Sequence, residues 1–150
     1  MTTSFLSPGA GRVLILHLSK GDDLLKSIKQ GIEEAGIQSG IVVSGIGSLR
    51  KFRYHFIKDT EDVSTDIFET AEGPLELVSI QGLILEGKPH LHALVSEYGS
   101  KRHISGHLEE GGEVQYLAEI AILELKDTPL GRRTGRYGKV PHLEWLDGRV

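Results

Sequence analysis

The chain has 150 residues, a net charge of −4 with its seven histidines neutral, and no cysteine. That length suits one domain with its own core, and the acidic balance argues against a broad wrap of the nucleic-acid backbone, where a basic footprint is the usual sign. Without cysteine there can be no disulfide framework, thiolate zinc site or cysteine nucleophile, so any transition metal must sit on histidine and carboxylate.

No apolar run reaches the roughly eighteen residues of a membrane helix. The start, MTTSFLSPGAGR, has neither the basic opening nor the apolar stretch of a signal peptide. A soluble, cytoplasmic protein is expected. The charge is uneven: from Thr128 onward five basic residues (Arg132, Arg133, Arg136, Lys139, Arg149) face two acids, leaving that tail near +3 and the remainder near −7. The expected organisation is one domain over residues 1–127 and a basic, glycine-containing tail over 128–150.

In chain order, RVLILHLS at 12–19 reads as a strand covered on both faces, because its apolar residues run almost unbroken. GDDLLKSIKQGIEEAG follows, with Leu24, Leu25, Ile28, Ile32 and Ala35 on one side of a helix, Asp22 placed to cap its start and Gly36 its end. This predicts the one main helix, about residues 22–36. IVVS at 41–44 is a strand that runs into Gly45-Ile46-Gly47-Ser48. A dinucleotide loop is excluded there, since Arg50 stands where a third glycine is needed and KFRYHF alternates like a strand rather than opening a helix. The glycines are expected to turn the backbone sharply or to let it approach something closely, and Gly45, Gly47 and Ser48 are a candidate ligand-binding loop. Short strands are expected in DIFET and LELVSIQGLIL, and VQYLAEIAILEL at 114–125 reads as a buried strand. The fold class is α+β: a central, mostly antiparallel sheet with one main helix against it.

PHLHALVSEYGSKRHISGHL, residues 89–108, holds four of the seven histidines. Tyr98-Gly99-Ser100-Lys101 is its natural turn, and a two-residue loop at Gly99-Ser100 pairs residues whose numbers sum to 199. Leu91, Ala93 and Val95 then share an apolar face with Ile104 and Leu108, closed near the turn by Glu97 and Arg102. The other face carries His90 and His92, with His107 directly across from His92. Opposed Cβ atoms lie about 5 Å apart and same-face neighbours on one strand about 7 Å apart, so the three imidazoles can meet at one ion. Three neutral imidazoles suit zinc and leave a fourth position for water or a substrate oxygen. Glu109, across from His90 in this register, is a fourth ligand, a partner of a ligand, or a general base. His103 should lie outside the site. His17 is read as a partly buried residue of the first strand, and His55 and His142 lack companions at useful spacing.

The ordered set RVLILHL, GDDLL, GIGS at 45–48, EGPLELVSIQG at 72–82, PHLHA at 89–93 and GHL at 106–108 resembles the plant and prokaryote conserved domain, PPC, in its stand-alone prokaryotic form. The resemblance runs from about Arg12 to Leu125. It implies an α+β fold, a homotrimer, and a metal, expected to be zinc, on histidines of the kind found at His90, His92 and His107. It also carries a DNA-binding association, which in plant members is attributed largely to an Arg-Gly-Arg-Pro AT-hook that this chain lacks. GRRTGRYGK at 131–139 is basic, and Arg132, Arg133 and Arg136 are candidate DNA contacts. Two functions follow: a small oligomeric metal-binding module with a regulatory or DNA-associated role, or a metal-dependent enzyme acting on a small polar or anionic molecule.

Overall fold

The computed structural model describes residues 4–62, 64–134 and 140–148. The element order is β1 (Gly9–Ser19), α1 (Leu24–Ala35), β2 (Ser39–Ile57), β3 (Asp66–Leu85), β4 (Lys88–Glu97), β5 (His103–Leu108), β6 (Glu113–Lys126), β7 (Leu130–Arg133) and β8 (His142–Trp145). It is a mostly antiparallel β structure with one short helix. Six strands form one sheet in the order β1-β6-β2-β3-β4-β5, and β5 also bonds to β2. That extra pairing, Tyr54 with Leu108 and His55 with His107, makes β2, β3, β4 and β5 a closed circuit of hydrogen-bonded neighbours.

The helix is where the apolar spacing places it. Leu24, Leu25, Ile28 and Ile32 are buried on one face and join one core cluster with Leu18, Val42, Phe52, Ile120 and Ile122. Each such burial contributes about 1.5–3 kcal/mol relative to exposure. The N-cap is Asp23, not Asp22: Asp23 accepts from Lys26 N at 3.0 Å, while Asp22 takes the Ser19 N–H at 2.7 Å and closes the turn before the helix. Gly36 ends it in the left-handed region at φ 67°.

Two expectations of short strands fail for one reason. Residues 39–57 and 66–85 are each a single long strand, so Gly45-Ile46-Gly47-Ser48 is neither a turn nor a loop. Its glycines serve close approach: a Cβ on Gly47 would lie 2.5 Å from the Leu117 carbonyl, and one on Gly45 2.7 Å from Ile80 Cβ. Gly45 and Gly47 are paired with Ile120 and Ala118 of β6, so they belong to a ladder and are not a free backbone cradle. β6 is the strand that its apolar run indicated.

β1 departs from its expectation as well. Leu18 is buried, with Leu14 and Leu16 packed against the core, but Val13 and Ile15 remain 57% and 65% exposed. The helix covers only one face. Cross-strand pairing sets Ile15, His17, Leu117, Glu119 and Ile46 on the open face. His17 is therefore an exposed residue near Glu119, at 3.9 Å, rather than a partly buried one.

The segment from Thr128 packs against the sheet. Ser39 Oγ donates to the Thr128 carbonyl at 2.6 Å, Leu130 is buried, and β7 pairs with β8 in a two-stranded sheet.

Candidate metal centre

The β4–β5 register has the 199 sum throughout, from His92 opposite His107 to Ser96 opposite His103. The turn is longer than a two-residue loop: Glu97 N–H bonds to the Arg102 carbonyl at 3.0 Å, and residues 98–101 lie between. The sum is unchanged, because a loop that lengthens equally on both sides keeps the same partners. Strand alternation does the rest. Leu91, Ala93 and Val95 are buried, and His90 and His92 project from the opposite face.

His90, His92 and His107 converge. Their ring centroids are 5.6 Å apart for His90 and His92, 4.7 Å for His90 and His107, and 5.4 Å for His92 and His107. One nitrogen from each lies within 4.8 Å of the other two. Tetrahedral zinc with bonds of about 2.0–2.1 Å needs nitrogens roughly 3.4 Å apart, a gap that small side-chain rotations close. His103 lies outside the cluster and bonds Ser96 through Nδ1 at 2.9 Å.

Burial pushes His107 down to about 4, with the nearby His55 and His90 adding to the effect and Glu109 opposing it. His90 is also lowered, by burial first and then by Arg132 and its histidine neighbours. Both rings are thus neutral at pH 7, the state in which imidazole offers a lone pair to a metal.

His55 is the residue that sequence reasoning missed. It lies opposite His107 in the β2–β5 pairing, and the two rings stack at 4.3 Å. Its Nδ1 hydrogen-bonds Glu109 Oε1 at 2.7 Å, with Asp66 3.9 Å from its Nε2. His55, His107 and Glu109 form a second group with ligand atoms within 4.8 Å of one another. Glu109 is not across from His90. The chain leaves β4 after His107 and turns to β2, where Glu109 N–H bonds the Arg53 carbonyl at 3.0 Å, and its carboxylate stands 3.9 Å from His107 Nε2. The one local sign was the alternation of Arg53 and His55 against Phe52 and Tyr54; nothing local showed that β5 would close onto β2.

The remaining candidates lie elsewhere or in other roles. Ser48 lines a cleft of about 580 Å³ with Arg50, Pro74, Tyr98 and Tyr116, which shares no residue with the histidine cluster. Arg133 is held by Glu86 through contacts of 2.7 and 2.8 Å, and Arg132, next to it on β7, is half-buried. Arg136 lies outside the described residues.

Residues 6–126 match the model of the Plants and Prokaryotes Conserved (PCC) domain, the domain abbreviated PPC above. The chain belongs to this family. A PPC protein from Pyrococcus horikoshii is similar at 28% identity and TM-score 0.73, over the full length of both chains. A metal-containing protein from Archaeoglobus fulgidus has the same fold at 24% identity and TM-score 0.78, covering 97% of this chain and 99% of that one. A candidate DNA-binding protein from Bacteroides thetaiotaomicron shares it at 18% identity and TM-score 0.72, covering 91% and 96%. Among curated proteins, the bifunctional protein GlmU of Synechococcus sp. (strain JA-3-3Ab) is 29% identical over 119 residues, 79% of this chain. The chain spans under a fifth of the length of the GlmU proteins it matches, 18% and 19%. No described helix is long and apolar enough to cross a membrane.

Proposed function

We propose that this PPC-domain protein is a small, oligomeric, cytoplasmic metal-binding module in which His90, His92 and His107 hold a zinc ion with one coordination position left for a ligand. The observation that carries the reading is the convergence of three imidazole nitrogens within 4.8 Å on adjacent strands. The chemistry of the donors supports it too. Two of the rings are held neutral by their surroundings, and an all-nitrogen set suits zinc better than magnesium or calcium. The metal-containing Archaeoglobus neighbour agrees with a metal on this fold.

When bound, the ion would act as a Lewis acid on whatever oxygen fills the open position. The chain's own contribution beside it is Glu109, oriented by its hydrogen bond to His55. In an enzymatic role, that pair would be the chain's own proton acceptor beside the ion. Metal analysis of untagged protein is the direct test. Stoichiometric zinc in the parent and none in His92→Ala is expected, and equal metal in both would end the proposal.

Assembly as a homotrimer is part of the same reading, supported by the open apolar face at Val13, Ile15, Ile46 and Leu117. Light scattering on the purified chain checks the mass. A DNA-associated role is the second reading, favoured by the Bacteroides neighbour and by the basic excess after Thr128. It predicts duplex binding that weakens steeply with salt, and binding unchanged between low and high salt would dismiss it.

A further inference from the structure

The cleft beside Ser48 has walls set by two departures from the regular ladder. Between Gly47 opposite Ala118 and Leu49 opposite Val114, β2 advances two residues while β6 advances four. The extra length leaves the ladder as a bulge, and Ser48 Oγ receives the Tyr116 N–H at 3.2 Å. Ser48 therefore holds Tyr116 in place rather than offering a backbone cradle. On the other side, β4 stays with β3 one bond past Glu97, since Tyr98 donates its N–H to the Pro74 carbonyl at 3.2 Å. Tyr116 and Tyr98 thus belong to the outer two of four adjacent strands, β6-β2-β3-β4, with the buried Leu49 and Leu75 beneath the cleft. Its volume of about 580 Å³ is within the roughly 300–1,000 Å³ of small-molecule sites.

Charge decides what such a molecule can be. Two of the three charged side chains that line the cleft are neutralised in place, Arg50 by Glu113 at 3.1 Å and Glu97 by Arg102 at 3.3 Å. Glu76, exposed and opposite Ser48 on β3, has no cationic partner among the described residues. One negative charge is left over, and the two tyrosines beside it are 86% and 71% exposed. The face of an aromatic ring carries negative potential and attracts cations. An anion would be repelled by Glu76, and a neutral ring would leave that carboxylate unmet.

We propose that this cleft is a second ligand site, for a small organic cation. A substituted ammonium group meets Glu76 and the tyrosine faces, and its apolar substituents lie against Pro74 and Leu75. None of the histidines proposed to hold zinc lines the cleft, so its occupancy is independent of the metal.

The test uses the full chain, metal-free and zinc-loaded, titrated with choline while backbone amide shifts are followed by NMR. Saturable shifts at Glu76, Tyr98 and Tyr116 are expected, with the same half-saturation in both forms. The alcohol 3,3-dimethylbutan-1-ol keeps choline's shape without its charge and should need at least about fivefold more, while acetate should not move these amides. Glu76→Gln, Tyr98→Leu and Tyr116→Leu should each raise the half-saturation point about 2–5-fold, because exposed ion pairs and cation–ring contacts are individually modest. Tyr98→Phe should leave it unchanged, since the ring and not the hydroxyl meets the cation. The three side chains are exposed, so each variant should keep the parent's amide spectrum away from the cleft, which checks that it folds. Choline shifts that miss the cleft, equal half-saturation for choline and the alcohol, or a Glu76→Gln variant that binds as tightly as the parent would each overturn the inference.

Discussion

The two ends of the sheet are built on different principles. Where β1, β6 and the first half of β2 face α1, position is fixed by apolar packing: Leu18, Leu24, Ile28, Ile32, Ile120 and Ile122 are 3% exposed or less. Where β4, β5 and the end of β2 meet, the buried face is just as apolar, with Leu91, Val95 and Phe52, but the outer face gathers four histidines and Glu109. The helix-backed end supplies stability that does not depend on a ligand, and the histidine end is then free to carry groups that do nothing for stability. Substitutions should therefore separate the two.

The largest effect is expected from Ile28→Ala, which empties a fully buried position and should cost about 2–5 kcal/mol in chemical denaturation. Metal affinity of the fraction that stays folded should not change. Gly82→Ala joins the two ends. Gly82 has φ 146°, and a Cβ there would meet the His90 carbonyl at 2.1 Å, so alanine must push β4 away where it carries the ligands. A loss of about 1–3 kcal/mol together with loss of zinc is expected; a variant that keeps full metal content would show that β4 need not approach β3 so closely.

His55→Ala should do the reverse of Ile28→Ala. It removes the partner of Glu109 without opening the core, so the denaturation midpoint should hardly move while zinc affinity weakens by about 10–100-fold. Competition with a chromophoric chelator reads this directly. The smallest effect concerns Tyr54, which stacks on Phe52 at 4.9 Å and donates to Glu69 at 2.7 Å. Burial, followed by that hydrogen bond, pushes its phenol up from 10.0 to about 12. The unfolded chain gives up this proton first, so its contribution is intact below pH 10 and declines as pH rises toward 12. Comparing denaturation midpoints at the two ends of that window, Tyr54→Phe should decline less than the parent.

Local pattern went furthest where contacts are local. The hairpin of β4 and β5 follows from one turn and two alternating runs, and it brings His90, His92 and His107 to one face. The helix follows from the spacing of Leu24, Leu25, Ile28 and Ile32. What sequence did not disclose depends on strands distant along the chain. Glycines 45 and 47 looked like punctuation, yet they let β6 and β3 press against a strand that continues through them. His55 is 52 residues from His107 and meets it only because β5 bonds back to β2. Glu109 was assigned to His90 by extending a ladder that stops at His107.

The clasp at Glu86 has a consequence for how such a protein can diversify. A polypeptide ending at Lys126 would retain His55, His90, His92 and His107 and the six-stranded sheet, yet lose β7 and the Arg133 guanidinium that Glu86 holds. How that short segment seats beside the β3–β4 turn rests on few residues, so exchanges of one or two of them can reshape this edge and leave the scaffold untouched.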